Sequence, residues 1–209
     1  MKKLFIILVL SIVFFVIAIG MVSWLSWQPQ SWYAPPDYSQ PETKKLAERA
    51  EYRLNEEFHK VRPIDVTWKL RITDHAMNAW LSGRLEDWLT HDQEIELPPE
   101  MHSPQIHVTQ HGIWLAAMID MDGDTPRPVA IQLWTWIDEG RLFVEPIALR
   151  LGKIPIPISL FTSAISGLQE KTSGIDAIAP LMDDREVEIK AITLEDGAMV
   201  LTCQTHLPQ

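Results

Sequence analysis

The stretch IDVTWKLRITDHAMNAWLSGRL, residues 64–85, changes its hydrophobic period at Thr73. Up to Ile72, apolar residues alternate with polar ones, which predicts a half-buried strand over 64–72. From Thr73 onward, apolar residues recur at spacings of three and four, which predicts an amphipathic helix to about Leu89. The apolar stripe of that helix consists of Met77, Trp80, Leu81, Leu85, Trp88 and Leu89. A strand that leads directly into a helix indicates a domain mixing both kinds of element.

Polar residues near the start of this helix bear on function. Thr73 is at the position of an N-terminal capping side chain. The negative charge of Asp74 is favourable at the positive, N-terminal end of the helix dipole. Asp74 and His75 are consecutive, so their side chains point about 100° apart and cannot form a hydrogen-bonded pair on this helix. Asn78, at the border of the apolar stripe, is the one polar residue expected to be half buried. We interpret it either as an amide that grips a ligand or, preferably, as a structural amide bonding a strand or loop backbone.

The N-terminal segment LFIILVLSIVFFVIAIGMVSWL, residues 4–25, carries no charge. A helix of that length reaches about 33 Å, enough to cross a hydrocarbon layer of about 30 Å. The apolar core runs on to Trp27 without a small-x-small exit, which favours an uncleaved signal-anchor over a cleaved signal peptide. Lys2 and Lys3 predict a cytoplasmic N-terminus. The far-side aromatic belt would consist of Trp24, Trp27, Trp32 and Tyr33.

The rest of the chain is therefore expected outside the cytoplasm, held by a single span in the inner or cytoplasmic membrane. Cys203 is the only cysteine, so no internal disulfide forms, which fits a bacterial envelope protein. Without the two anchor lysines, 16 basic residues stand against 28 acidic ones, a formal charge of about −12. Phosphate backbones repel such a domain, so nucleic acid is excluded as a partner. Any lipid contact would come from apolar surface or a pocket.

Periodicity along the remaining chain predicts the other elements. A helix is expected over 42–61, and strands are expected near 105–110, 113–121, 128–138 and 141–151, joined by short turns. Further helices are expected from Ser159 to about Glu170 and over 174–182. A closing hairpin is expected over 185–195 and 198–206, turning at Asp196-Gly197.

The predicted fold class is α+β. An N-terminal transmembrane helix leads to one antiparallel β-meander sheet of six or seven strands, with amphipathic helices packed on one face. The chain divides into three parts: residues 1–27 are a cytoplasmic stub and transmembrane anchor, residues 28–41 a Pro-rich linker, and residues 42–209 the extracytoplasmic α+β domain.

Metal sites receive little support from the spacing of candidate ligands. His107 and His111 would stand about 13 Å apart along a strand, too far to share a zinc ion, so solvent-facing histidines are the better interpretation. Asp120, Asp122 and Asp124 fail the EF-hand spacing and read as a polar hairpin turn, although a looser calcium turn stays open. We therefore predict no metal ligand and no cofactor.

No sequence motif indicates an enzyme. The G-x-S-x-G elbow, the glycine-rich phosphate loops, H-E-x-x-H and C-x-x-C do not occur anywhere in the chain. An envelope hydrolase using His75 or His91 with nearby acids is the least favoured interpretation. No catalytic residue is predicted.

The order of features resembles the YpmS-like family of membrane-anchored bacterial proteins. An anchor leads to a strand ending at Thr73, then to a helix carrying Asn78-Ala79-Trp80-Leu81. A β-meander follows, then Leu151-Gly152-Lys153-Ile154-Pro155-Ile156-Pro157, a helix and a final hairpin. The resemblance implies an anchored extracytoplasmic domain and carries no catalytic residue to this chain.

The leading functional hypothesis is non-enzymatic binding of a lipid-like or apolar ligand at the membrane surface. A curved sheet closed by amphipathic helices can enclose an apolar groove. Trp134 and Trp136 share a strand face, so this pair should be buried or covered, although the tryptophans also fit an ordinary core. The candidate groove residues are Asn78, Trp80, Trp88, Trp134, Trp136, Ile154, Pro155 and Pro157. The alternative is a structural or assembly protein that docks a protein partner in the cell envelope.

Overall fold

Three helices and one strand occupy the N-terminal part of the chain, and strands predominate after them. The computed structural model describes residues 2–36, 40–64, 66–92, 100–120, 125–161, 174–181, 183 and 185–207, with side chains at all of these except 4, 83, 86–92 and 161. The α-helices are α1 Lys2–Trp27, α2 Pro41–His59 and α3 Asp74–Asp92. The strands are β1 Thr67–Thr73, β2 Met101–Thr109, β3 Gly112–Ile119, β4 Arg127–Asp138, β5 Arg141–Leu151, β6 Ile154–Ile156, β7 Ile175–Asp176, β8 Ile178–Pro180, β9 Glu186–Glu195 and β10 Ala198–His206.

The strands form two antiparallel sheets, and the predicted α+β class is confirmed. One sheet has the order β1-β10-β9-β8, and the other has the order β2-β3-β4-β5-β6 with β7 also paired to β5. The sequence predicted a single sheet. The strands divide because β1 pairs with the distant β10, while the outer edge of β2 is bonded by Asn78 of α3 and by Gly197. Strand pairing at that edge is thereby blocked.

Most predicted elements are confirmed within a few residues, namely α2, α3, β1 to β5 and the β9–β10 hairpin. The helix predicted over 174–182 is wrong, because the described residues there form the short strands β7 and β8. These strands are held by backbone pairing to β5 and β9, which local composition does not reveal. The helix predicted from Ser159 corresponds to a 3-10 turn, Ile158–Phe161, and the rest of it lies outside the described residues.

The four-stranded sheet has its own hydrophobic core. Leu70, Val187, Leu201 and Cys203 are buried on one face of this sheet, and Leu54 and Phe58 of α2 pack against them. The even spacing of the apolar residues in β1 places Trp68, Leu70 and Ile72 on that same face. Helix α2 therefore covers the sheet that contains β1, which brings α2, α3 and β1 together.

The six-stranded sheet is covered by the segment predicted as a linker. Trp32 and Tyr33 pack against Trp114, Ala116 and Ala130, which are buried in this sheet. The Tyr33 hydroxyl donates to the Ser103 carbonyl at 2.8 Å, and the Ala34 N–H donates to Gln105 Oε1 at 2.7 Å. Residues 28–34 thus have the irregular backbone expected of a linker but are packed as part of the domain.

The C-terminal end of α1 contacts the turn between β5 and β6. The Lys153 N–H donates to the Leu25 carbonyl at 3.0 Å, and Gln30 Nε2 donates to the Gly152 carbonyl at 2.6 Å. The guanidinium of Arg127 at the start of β4 lies 4.5 Å from the centroid of the Trp27 ring. The long helix is therefore joined to the domain by direct contacts as well as by the chain.

Burial makes the single cysteine a probe of unfolding. Cys203 is fully buried in the core of the four-stranded sheet, and this burial raises the pKa of its thiol to about 11. Only the thiolate reacts with alkylating reagents, so the shift alone lowers the reactive fraction about 100-fold. We expect Cys203 of the native chain to stay unmodified by iodoacetamide at pH 8 and to react fully in denaturant, measured by intact mass. Rapid modification of the native chain would contradict this burial.

Candidate functional site

Helix α3 begins where the sequence predicts, directly after β1. The Ala76 N–H donates to Thr73 Oγ1 at 3.2 Å, so Thr73 caps the helix as expected from its position. The Asp74 N–H donates to the Gly197 carbonyl at 3.0 Å. These bonds hold the first turn of α3 against the tip of the β9–β10 hairpin.

The side chain of Asn78 is a structural amide. Asn78 Nδ2 donates to the Ile106 carbonyl at 2.7 Å, and the Ile106 N–H donates to Asn78 Oδ1 at 2.6 Å. The side chain thereby bonds both the N–H and the C=O of Ile106 on the outer edge of β2, as the backbone of a neighbouring strand would. Of the two interpretations made from the sequence, the contacts match the one that assigned Asn78 to a strand backbone.

An apolar pocket of about 200 Å³ lies next to Asn78, between α2, α3, β1 and β2. Among the described residues of the lining, Glu51 at the mouth is the only charged one, and it is bonded to Arg84 of α3 at 2.6 Å. Both side chains of that ion pair are more than 40% exposed, so the pair contributes little stability. The apolar lining consists of Ala50, Leu54, Ile72, Ala76, Met77, Trp80, Leu81 and Ile106.

A wider and more polar cleft of about 720 Å³ opens beside this pocket, between α2 and β1. Pocket and cleft share Ala50, Leu54, Ile72 and Ala76, so they are continuous. Glu57 lines the cleft, and its pKa is lowered first by a hydrogen bond from Lys60 and further by the charges of Lys60 and Arg62. This carboxylate is therefore ionised and already engaged by two cations.

His107 differs from the solvent-facing histidine that the sequence predicted. Its ring stacks on Trp32 with centroids 5.0 Å apart, and its Nδ1 lies 3.3 Å from Asp74 Oδ2. Asp74 thus pairs with a histidine of β2, while the neighbouring His75 is exposed. The prediction failed because Trp32, Asp74 and His107 come from three separate parts of the sequence. The pairing links the segment 28–34, α3 and the six-stranded sheet.

The seven groove residues whose side chains the structure describes do not form one groove. Of the described side chains, only Trp80 lines the apolar pocket. Trp134 and Trp136 lie on β4, where Trp136 stacks on Phe143 and Trp134 is 41% exposed. The expectation that this pair is covered is therefore wrong for Trp134. The side chain of Trp88 lies outside the described residues.

Ile154, Pro155 and Pro157 lie in or next to β6, at the opposite edge of the six-stranded sheet from β2. That order separates β6 from the pocket by about 19 Å, four strand spacings. Along β5, Phe143 pairs with Trp136 and Leu151 pairs with Ile154. The eight residue steps from Phe143 to Leu151 separate Ile154 from Trp136 by roughly 27 Å. Sequence reasoning missed α2 as a pocket wall, although the stripe of Ala50 and Leu54 was a usable signal.

The part of the chain that the structure describes adds no support for a metal site. Within the described ranges, no group of three or more histidine, cysteine, aspartate or glutamate side chains is arranged to hold a metal ion. Asp122 and Asp124 of the considered calcium turn, and the side chain of His91, lie outside the described residues.

Comparison with known proteins adds no assignment: a scan against family models and a search of curated proteins found no match to this chain. The geometry of the pocket and of its surroundings is therefore the basis for any functional conclusion.

Proposed function

We propose that this chain is a single-pass membrane protein whose extracytoplasmic domain binds a lipid-like apolar ligand beside the membrane. The observation that carries the proposal is the pocket between α2, α3, β1 and β2, where eight apolar residues and one charged residue form the wall. Apolar lining with few polar groups is typical of sites for hydrocarbon ligands. Burial of a hydrocarbon chain there contributes about 25 cal/mol for each Å² removed from water.

The properties of α1 support the membrane part of the proposal. Residues Phe5–Trp27 are long and apolar enough to cross a membrane, and the 18-residue apolar core of this span is not buried against the rest of the chain. Lys2 and Lys3 at the N-terminus and the tryptophans at the other end favour a cytoplasmic N-terminus, with the domain on the far side of a bacterial inner membrane. We also propose that the chain belongs to the YpmS-like family.

The contacts at the end of α1 support a fixed position for the domain at the bilayer surface. Trp27 is held by Arg127, and Leu25 accepts a hydrogen bond from the turn between β5 and β6. Lys153 of that turn is exposed and stands level with the end of the helix, where lipid head groups lie. Ile154, Pro155 and Pro157, which the sequence analysis named as candidate groove residues, are on this proposal part of the membrane-facing edge.

The proposal predicts that an uncharged hydrocarbon probe labels the pocket. The full chain in phosphatidylcholine nanodiscs is irradiated with a long-chain alcohol that carries a photoactivatable diazirine, and labelled peptides are identified by mass spectrometry. Label in α1 reports the probe dissolved in the bilayer and serves as the internal standard. We expect label in the peptides that carry Leu54, Met77 and Trp80.

Ala50→Phe is expected to reduce the pocket label about tenfold relative to α1, because the new ring occupies the space a hydrocarbon chain would fill. Glu48→Phe is the matched control, since Glu48 is exposed on the same helix and its replacement leaves the pocket open. Equal labelling of the two variants, or an unlabelled pocket in the unmodified chain, would overturn the proposal. The second result would favour the alternative of an envelope protein docked to the domain.

A further inference from the structure

The cleft beside the apolar pocket differs from the pocket in charge. Arg49 and Arg53 lie one turn apart on α2, and Lys69 and Arg71 belong to β1 on the other side. All four residues line the cleft, whose floor is shared with the pocket through Ala50, Leu54, Ile72 and Ala76. The side chains of Lys69 and Arg71 alternate with those of Leu70 and Ile72 and so lie on the face of β1 away from α2. The cationic side chains on the α2 side of the opening are therefore Arg49 and Arg53.

The guanidinium groups of Arg49 and Arg53 are available to a ligand. Within the described part of the chain, Arg49, Arg53 and Lys69 form no ion pair, and Arg71 pairs with Glu195 at 3.3 Å. That pair is half exposed on both sides and contributes little. Glu56 and Glu57 also line the cleft, but Glu57 is engaged by Lys60 and Arg62. Among the described residues that line the cleft, Glu56 is therefore the one carboxylate without an ion-pair partner.

We infer that the pocket and cleft together bind a single-chain anionic amphiphile, with its hydrocarbon chain in the pocket and its carboxylate or phosphate head group beside Arg49 and Arg53. This inference rests on the proposed function and adds the chemical class of the ligand. A planar guanidinium matches the oxygens of a carboxylate or a phosphate, and hydrogen bonds between charged groups are stronger than neutral ones. The continuity of the apolar pocket with the cationic cleft matches the two parts of such a molecule.

The head group is tested by competition against the uncharged photoprobe. The full chain in phosphatidylcholine nanodiscs is labelled in the presence of decanoate, decyl phosphate or decanol, which share a chain and differ in charge. Loss of pocket label is divided by loss of α1 label, which corrects for competitor dissolved in the bilayer. We expect one of the two anions to compete at about tenfold lower concentration than decanol, the factor given by one charge-assisted hydrogen bond.

Matched variants test whether Arg49 and Arg53 cause the preference for an anionic competitor over decanol. In the double variant Arg49→Gln and Arg53→Gln, the preference for the anion is expected to fall to about one, while the uncharged probe still labels the pocket. The control is Lys44→Gln with Lys45→Gln, which removes the same charge from exposed positions of α2 outside the cleft and should keep the preference.

Equal competition by anions and decanol in the unmodified chain would overturn the inference and leave the proposed function standing. An unchanged preference in the arginine variant would overturn it as well. Absence of pocket label from the uncharged probe, before any competitor is added, would overturn the proposed function itself.

Discussion

Asn78→Ala is expected to lower the free energy of unfolding of the domain by about 3 kcal/mol, because it removes two hydrogen bonds and leaves an N–H and a C=O of β2 without partners. The side chain is 9% exposed, and its two bonds to Ile106 are 2.6 and 2.7 Å long. Water replaces such bonds poorly at a covered edge. The loss is measured by urea denaturation in nanodiscs, followed by tryptophan fluorescence and by alkylation of Cys203.

Asn55→Ala is the control for this substitution. Asn55 is an exposed asparagine in α2, so its replacement brings the same gain in helix propensity without removing a bond to a strand. Its effect should stay within about 0.5 kcal/mol. If both variants unfold at the same urea concentration, the structural role of Asn78 is refuted. A loss of pocket label at unchanged stability would instead assign Asn78 to the ligand.

Asn78 shows which features of this position could be predicted from the sequence and which could not. Thr73 as a cap and the strand-to-helix change could be predicted because both depend on neighbouring residues. The half-buried position of Asn78 followed from its place on the helix stripe. Its partner could not be predicted, because Ile106 lies 28 positions along the chain and only the folded edge of β2 brings them together. Local periodicity places a side chain on a face without identifying what lies opposite.

The pocket illustrates the same limit for the functional site. Four tryptophans were among the candidate groove residues, and size and apolarity did not distinguish Trp80 from Trp134. What distinguishes them is the element that lies above each ring. Helix α2 covers the neighbourhood of Trp80, whereas Trp134 remains 41% exposed on β4. The contacts of α2 with α3 and the four-stranded sheet depend on which strands pair, and the separation into two sheets was not visible in the periodicity.

The segment 28–34 was correctly predicted to lack regular structure, and its composition indicated a linker. Two of its aromatic residues, Trp32 and Tyr33, were assigned to the membrane interface on the strength of their position after the anchor. Both instead pack on the six-stranded sheet, where Trp32 also stacks on His107. Aromatic residues suit a bilayer interface and a protein core alike, so composition alone could not decide between the two. The consequence is a domain that begins directly at the end of α1.

Gly152→Ala should separate the domain from the end of α1. Gly152 has φ +56°, and a Cβ at this position would lie 2.4 Å from the carbonyl oxygens of both Leu25 and Ser26. The left-handed backbone costs about 1 kcal/mol for a residue with a Cβ, and the backbone overlap adds about 2 kcal/mol or forces the two segments apart. We expect the hydrogen bonds from Lys153 to Leu25 and from Gln30 to Gly152 to be lost together.

Gly140→Ala is the control that separates the backbone strain from the steric overlap in the effect of Gly152→Ala. Gly140 has φ +74°, and its nearest neighbour to an added Cβ is the end of the Glu188 side chain at 3.7 Å, so this variant carries the backbone strain without the overlap. Chymotrypsin cleavage at Trp32 and Tyr33 in nanodiscs reports whether segment 28–34 stays packed. Faster cleavage is expected in Gly152→Ala and not in Gly140→Ala. Equal cleavage would mean that the contact with α1 does not hold the segment, and the pocket would then have no fixed position relative to the bilayer.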